Sequence, residues 1–315
     1  MALPASIVGR LRLPVVAAPM FLVSGPDLVI AACRAGVLGT FPALNQRTTA
    51  GLEEWLTVID AALRPEDAPY GVNLIVHRTN ARVAADLQAI VRHRVPVVVT
   101  SLGAAPDVVA AVHSYGGVVF HDVTSAHHAR KAADAGVDGL ILVAAGAGGH
   151  GGLLSPFALM AEVRATFTGT ILLAGALSSG SDVLAARALG ADLAYLGTRF
   201  IPTTESLASD AYRQQVVAAA AADVVYTASV STIPANFLRR SLERAGLDPD
   251  AVPGPVDLAH LTNPSQADAK AWRDIWSAGQ GVAGIDAVLP VADLVDRLAG
   301  EYQKARARLC ATDTG

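Results

Sequence analysis

VDGLILVAAGAGGHGGLLSPFALMAEVRATFTGTILLAG, residues 137–175, contains one complete unit of the fold. The apolar run VDGLILV leads into a glycine-rich loop, SPFALMAEVRATF follows with the composition of a helix, and a second apolar run, TILLAG, comes after it. Two apolar strands joined by one helix predict a right-handed βαβ unit with parallel strands. Parallel strands are buried on both faces, which explains why both runs are so apolar.

The same alternation continues through the first two hundred residues, at a spacing of roughly 20–30 residues. The strand-like runs lie at residues 14–18, 37–41, 70–76, 95–101, 117–123, 137–143, 170–175 and 191–200. Eight parallel strands are the number that closes a (β/α)₈ TIM barrel, so an α/β barrel is the predicted fold class. A doubly wound open sheet is the alternative.

The pattern changes after Phe200. Residues 203–282 contain the helical segments SLASDAYRQQVVAAAA and ANFLRRSLERAG, a Pro-rich connection, and an extended piece, DVVYTASV. We interpret this segment as a small, mainly helical lid inserted after the eighth strand. The barrel then comprises residues 1–202 and 283–315, and the final helix, IDAVLPVADLVDRLAGEYQKARARL, completes the outer ring.

The composition excludes several classes of protein. Of 315 residues 52% are apolar and 17% charged, and the net charge is −4 without a basic cluster, so nucleic acid is not an expected partner. No apolar run is long enough to span a membrane and no signal-peptide pattern is present, which predicts a cytoplasmic protein. The two cysteines, Cys33 and Cys310, match neither a disulfide framework nor a metal site. The composition is compatible with a homo-oligomer.

In a barrel of this kind, ligands bind at the C-terminal ends of the strands, and phosphate groups often bind after the seventh and eighth. The loop after the sixth strand has glycines that allow close approach of a ligand, and His150 is its one side chain for acid–base chemistry near neutral pH. Gly175 and Gly180 follow the seventh strand, and Gly197 and Thr198 end the eighth. These positions predict a phosphate site made of backbone N–H groups and a helix N-terminus.

Two other enzyme classes are disfavoured by the pattern. Gly146–Gly151 formally matches G-x-G-x-x-G, but the next helix begins only near Ser155, and no acidic residue ends a strand about 20 residues later. A Schiff-base enzyme needs a lysine at the end of a strand. None of the three lysines, Lys131, Lys270 and Lys304, occupies such a position.

A metal site is also not predicted. His121, Asp122, His127 and His128 are close in sequence and have side chains that bind metals. However, His127 and His128 are neighbours on a predicted helix and therefore point in different directions.

Taken together, APM (18–20), GVNL in the third strand, AGGHGG, AGALSSG, LGTRF and WSAGQG resemble the nitronate monooxygenases, formerly called 2-nitropropane dioxygenases. The resemblance extends from about residue 12 to 290. It implies a (β/α)₈ barrel that uses FMN and oxidises alkyl nitronates, or nitroalkanes, with O₂ to a carbonyl compound and nitrite. Related enzymes include flavin-dependent enoyl-acyl-carrier reductases and NAD(P)H:quinone reductases, so NAD(P)H-dependent reduction of quinones or enoyl substrates is the alternative. Flavin binding without turnover is a third hypothesis.

The resemblance also implies the residues of the site. His150 matches the catalytic histidine, as base for a nitroalkane or hydrogen-bond donor to the nitro group, and we expect its pKa near the ordinary value. Trp276 and Ser277 would return from the lid toward the cofactor. The implied FMN-binding residues are Ala18, Pro19, Met20, Asn73, Gly148, Gly149, Ala174, Gly175, Gly197, Thr198 and Gln280.

Two departures from the family pattern change the charge around the expected flavin. Asp122 stands at the end of the fifth strand, where relatives often have a basic residue. Ala144-Ala145-Gly146 lacks the carboxylate that often precedes AGGH. The substrate and the electron donor therefore follow less directly from the resemblance than the cofactor does.

Overall fold

The computed structural model describes residues 3–103, 105–230, 234–250 and 274–312. Its centre is a closed barrel of eight parallel strands in sequence order, with β8 hydrogen-bonded to β1. The predicted (β/α)₈ barrel is confirmed, and the open-sheet alternative is wrong. The strands are β1 (Val15–Ala17), β2 (Leu38–Pro42), β3 (Tyr70–Ile75), β4 (Val97–Ser101), β5 (Val118–Val123), β6 (Gly139–Val143), β7 (Thr170–Ala174) and β8 (Leu193–Leu196).

Helices surround the barrel, and their ends follow simple capping rules. Helix α1 begins with Pro26, whose fixed φ suits the first turn, and ends at Gly36 in the left-handed conformation (φ 88°). Helix α7 begins with a capping box between Ser179 and Asp182. The ring comprises α1 (Pro26–Ala35), α2 (Thr49–Ala62), α3 (Val83–Arg92), α4 (Pro106–His113), α5 (Ala126–Asp134), α6 (Pro156–Arg164) and α7 (Gly180–Leu189).

Two apolar layers hold this architecture together. One lies between the strands and the helices, and it includes Phe41, Leu74 and Leu140. The other fills the inside of the barrel and is built from alternate residues of the strands. Its members are Val16, Leu38, Val97, Val99, Val118, Phe120, Ile141, Leu172 and Leu193, with Ile7 from the N-terminal segment. The interior is therefore a packed core, and a ligand can only be received above it, at the C-terminal rim.

After β8 the chain forms helix α8 (Asp210–Ala218) and then an antiparallel pair, β9 (Val224–Thr227) with β10 (Ala235–Leu238). Helix α9 (Arg239–Arg244) follows β10. The prediction that ANFLRRSLERAG is helical throughout is wrong for its first four residues, which pair with β9 and bury Phe237 in the lid. Most of the Pro-rich connection, together with His260 and Lys270, lies outside the described residues.

The last helix, α10 (Val291–Thr312), packs against α1 and α7. It begins six residues later than IDAVLPVADL suggests, because Pro290 has no N–H to donate and fits only before or in the first turn. Within the described ranges, none of the helices has the length and apolar character needed to cross a membrane.

Candidate active site

The end of β1 lies beside the end of β8 at the C-terminal rim. The N–H of Ala18 donates to the carbonyl of Leu196 at 2.9 Å. A Cβ added to Gly197 would lie 3.6 Å from Cβ of Ala18 and 3.7 Å from Sδ of Met20. Pro19 and Met20 are half-buried. The structure thus brings Ala18, Met20 and Gly197 together, and the absence of a side chain at Gly197 leaves a shallow space between them.

Asn73, on β3, is buried at the same rim. Its Nδ2 donates to the carbonyl of Val99 at 3.1 Å and to Oγ of Ser101 at 2.8 Å. A carbonyl can only accept, so the contact with Val99 fixes which end of the amide is Nδ2. Oδ1 of Asn73 is then the atom that can accept a hydrogen bond from a ligand.

The loop after β6 holds His150 at the edge of the rim. Gly146 and Gly149 have φ values of +82° and +69°, a region that residues with a Cβ rarely adopt. His150 is half-buried, and this burial lowers its pKa from 6.5 to about 4. The pKa is thus lower than the ordinary value that we expected from the sequence, and the imidazole is neutral at pH 7.

The lid fixes this loop from above through Asn236 and Ser277. The N–H of Asn236 donates to the carbonyl of Gly149 at 2.9 Å, and its Nδ2 donates to the carbonyl of Ala147 at 2.6 Å. The N–H of Gly149 donates to Oγ of Ser277 at 2.8 Å, and that hydroxyl donates to the carbonyl of Asn236 at 2.7 Å. Sequence reasoning missed Asn236, since its contact partner is 89 residues away along the chain.

The WSAGQG segment contacts the loop by its backbone. A Cβ on Gly279 would lie 2.5 Å from the carbonyl oxygen of Gly146 and 2.7 Å from the nitrogen of Gly148, so only glycine fits there. The N–H of Gln280 donates to that Gly146 carbonyl at 2.9 Å, and the N–H of Gly279 donates to Oγ1 of Thr198 at 2.8 Å. Gln280 and Thr198 therefore lie beside the loop, and their contact with FMN stays a prediction.

Trp276 has a different environment from the one expected. Its ring stacks on Tyr212 with centroids 5.1 Å apart, and the guanidinium of Arg244 lies 3.8 Å above it. The residue is buried in the apolar core of the lid. Trp276 thus supports the lid that carries Ser277.

The ends of β7 and β8 provide the candidate phosphate site. Gly175 has a φ of +134°, and a Cβ there would lie 2.8 Å from the carbonyl oxygen of Ala145, so the turn requires glycine. Ala174 and Thr198 are both buried. Beside them Arg199 is buried, and its Nε and Nη1 have no hydrogen-bond partner among the described residues. The guanidinium of Arg297 and the carboxylates of Glu301 and Asp286 act on its charge, so the protein itself supplies anionic groups to Arg199.

Gly180 does not belong to this site, so that part of the prediction is wrong. Its N–H donates to Oε2 of Glu301 on α10 at 2.8 Å, and a Cβ there would lie 2.1 Å from the carbonyl oxygen of Leu298. The N–H groups of Ser178 and Ser179 donate to Asp182. The N–H groups at the start of α7 thus donate to carboxylates of the protein itself. The glycine turns after β7 and β8 are the positions that remain for a phosphate.

His121 and Asp122 point to opposite sides of β5. Nδ1 of His121 lies 2.8 Å from Oγ1 of Thr100, and burial lowers its pKa to about 4. Asp122 faces the barrel interior, where Ser101 donates to its Oδ2 at 2.6 Å. Because successive residues of a strand alternate, the two side chains cannot share a metal ion.

The chain is similar to several known proteins. The family model described as "Nitronate monooxygenase" matches residues 7–301. A nitronate monooxygenase of Paraburkholderia phytofirmans is 27% identical over 93% of this chain and 93% of its own length. The solved structure of a nitroalkane oxidase from Streptomyces ansochromogenes is 28% identical, with a TM-score of 0.82 over 96% of this chain and 100% of that chain.

Proteins with other names are also similar to this chain. The structure of FabK from Thermotoga maritima has a TM-score of 0.80 at 24% identity and covers 96% of both chains. A 5-hydroxy-7a-methyl-1-oxo-octahydro-1H-indene-4-carboxyl-CoA dehydrogenase of Mycobacterium tuberculosis is 32% identical over 73% of this chain, and the match spans 64% of that protein's length. The family model nevertheless spans nearly the whole sequence. This chain belongs to the nitronate monooxygenase family.

Proposed function

We propose that the protein is an FMN-dependent oxidoreductase that oxidises alkyl nitronates with O₂ to a carbonyl compound and nitrite. The observation that carries the proposal is a neutral His150 in a loop that Asn236 and Ser277 hold at the rim, beside the glycine turns of β7 and β8. The family match over residues 7–301 supports the same reaction class.

The residues present fit FMN. The glycine turn at Gly175 and the backbone at Gly197–Thr198 would hold the phosphate. The ring would lie along Ala18, Pro19 and Met20, with Gly148 and Gly149 opposite and Gln280 at the side. Oδ1 of Asn73 would accept a hydrogen bond from its edge. When bound, FMN supplies the electron transfer between substrate and O₂.

The pKa of His150 separates the two forms of the substrate. A base whose pKa is about 4 is poorly matched to removing a proton from carbon at neutral pH. The same neutral imidazole carries one ring N–H, which can donate to the nitro group of a nitronate that has already lost its proton. The structure therefore favours the nitronate over the neutral nitroalkane, with His150 as hydrogen-bond donor.

Anaerobic reduction of the flavin tests the proposal. FMN-loaded protein is mixed with a preformed alkyl nitronate, with the parent nitroalkane, or with NADH and NADPH, and the flavin absorbance is followed. We expect the nitronate to bleach the flavin fastest, and air to restore the colour with release of nitrite. Bleaching only by NAD(P)H would instead support the alternative, a quinone or enoyl reductase.

A second class of oxidoreductase is tested in the same experiment because a relative that is 32% identical over 73% of this chain is named a carboxyl-CoA dehydrogenase. Saturable binding of FMN without reduction by any of these donors would support the third hypothesis, a flavin-binding protein without turnover. The three outcomes exclude one another.

A further inference from the structure

A carboxyl group lies inside the barrel at the rim, and the proposed reaction does not use it. Val118 and Phe120 of β5 belong to the interior core, so Asp122, two residues further on, faces the same side. Its side chain is half-buried, on top of that core. This is the layer in which Asn73 lies, so Asp122 borders the space where a ligand is received.

The direction of the hydrogen bonds toward Asp122 is fixed. Nδ2 of Asn73 donates to the Val99 carbonyl, which can only accept. The same Nδ2 also contacts Oγ of Ser101, so the Ser101 hydroxyl accepts that second hydrogen bond. The single proton of the Ser101 hydroxyl then goes to Oδ2 of Asp122 at 2.6 Å. These hydrogen bonds join β3, β4 and β5. Oδ1 of Asp122 is then the oxygen that can hold a proton and donate to a ligand.

No cation balances this carboxyl among the groups that act on it. Burial raises the pKa of Asp122 from 3.8 to about 6, and the Ser101 hydrogen bond lowers it. Across the barrel, burial and then the negative charge of Asp122 raise the pKa of Tyr195 of β8. The neighbouring inward side chains of β6, Ile141 and Val143, are apolar. His150, in the loop after β6, is neutral at pH 7, and His121 faces the helices.

We propose that Asp122 sets the charge of the ligand that the pocket accepts. As a neutral acid it donates from Oδ1 to an anion, and as a carboxylate it repels that anion. Binding of an anion is therefore coupled to uptake of one proton from solvent. The inference rests on the proposed function, since a nitronate is the anion in question.

Isothermal titration calorimetry with an inert anion tests this coupling on the FMN-loaded protein. Butyrate carries a planar group like that of a nitronate, and butyramide is its neutral counterpart. Titrations at pH 5 to 8 in two buffers of different ionisation heat give both Kd and the number of protons taken up. Above about pH 7 we expect nearly one proton per butyrate and a Kd that rises about tenfold per pH unit, with neither effect for butyramide.

Three variants distinguish the source of the proton. Asp122→Asn should abolish the uptake and leave a Kd for butyrate that does not change with pH. Ser101→Ala should shift the midpoint of uptake to higher pH, because the lost hydrogen bond favours the ionised carboxyl. His150→Gln should leave the uptake in place, which excludes protonation of the imidazole as its source.

Several results would overturn the proposal. They are uptake that persists in Asp122→Asn, uptake lost in His150→Gln, a midpoint in Ser101→Ala that stays or moves down, and butyrate that fails to bind at pH 5. If nitronate oxidation proceeds but these results appear, this inference fails and the proposed function stands. If proton-linked butyrate binding is found without nitronate turnover, the proposed function fails and this inference about anion binding stands.

Discussion

At the scale of single residues, burial decides what His150 can do. With a pKa of about 4 the imidazole stays neutral across the physiological range, so its contribution is a hydrogen bond with no change of charge. Burial also disfavours the charged form of the Asp122 carboxyl and therefore raises its pKa. Burial therefore favours the neutral form of both residues, but at pH 7 only His150 is neutral, while Asp122 becomes neutral as the pH falls below about 6.

Substitution of His150 should separate donation from proton abstraction. His150→Gln keeps an N–H donor, and we expect kcat/KM for a preformed nitronate to fall by less than about tenfold. His150→Ala removes the donor and should cost about 10- to 100-fold, the usual size of one hydrogen bond to a charged group. Steady-state oxygen consumption measures both. Equal losses in the two variants would contradict the donor role.

At the scale of elements, the barrel was predictable and the lid only partly so. Each apolar strand is bounded by Gly or Pro and followed by a helix, and eight repeats of that pattern leave little freedom for another fold. β10 has no such signal, because its residues pair with β9 and bury Phe237 in contacts that the local pattern does not contain. Asn236 was missed for the same reason. Its residue type is ordinary, and only the folded lid brings it to the loop.

The contact between the lid and the loop depends on the absence of a side chain at Gly279. Gly279→Ala would place a Cβ 2.5 Å from the Gly146 carbonyl oxygen, and neither backbone can move without breaking the bonds that hold the loop. We expect a loss of about 1–3 kcal/mol in unfolding free energy and weaker FMN binding. Gly300→Ala is the matched control, since nothing lies within 4 Å of its Cβ and alanine favours the α10 helix. Urea unfolding and flavin fluorescence measure the two effects, and similar values for both variants would contradict this account.

The side chain of Asn236 should position the loop without touching substrate. Asn236→Ala removes the hydrogen bond to the buried Ala147 carbonyl, so we expect about 1–2 kcal/mol of lost stability and a kcat about tenfold lower. Tyr226→Phe is the comparison variant, because its bond to the Gly151 carbonyl is long, at 3.4 Å, and the tyrosine is exposed. An Asn236→Ala variant as active as Tyr226→Phe would show that the backbone contacts suffice.

At the scale of the whole molecule, β5 carries two titrating groups with opposite effects on stability. His121 packs outside the strand and Asp122 inside it, so each is desolvated in a different core. The folded pKa of His121, about 4, is below the unfolded value of 6.5, so the unfolded chain binds more protons in that interval. Stability from this residue is therefore lost as the pH falls from 6.5 to 4. The folded pKa of Asp122, about 6, is above the unfolded 3.8, so its contribution grows as the pH falls from 6 to 4.

Single substitutions on β5 should therefore change the acid stability of the whole barrel in opposite directions. Between pH 6.5 and pH 4 we expect the unfolding free energy of His121→Gln to fall less than that of the unsubstituted protein. The difference is up to about 3 kcal/mol, which corresponds to the pKa shift of His121. Asp122→Asn should make the same loss steeper, because the opposing contribution disappears. Urea unfolding at several pH values, with FMN saturating in every sample, measures both slopes. If both variants changed the slope of unfolding free energy against pH in the same direction, the two residues would not titrate in separate environments on either side of the strand.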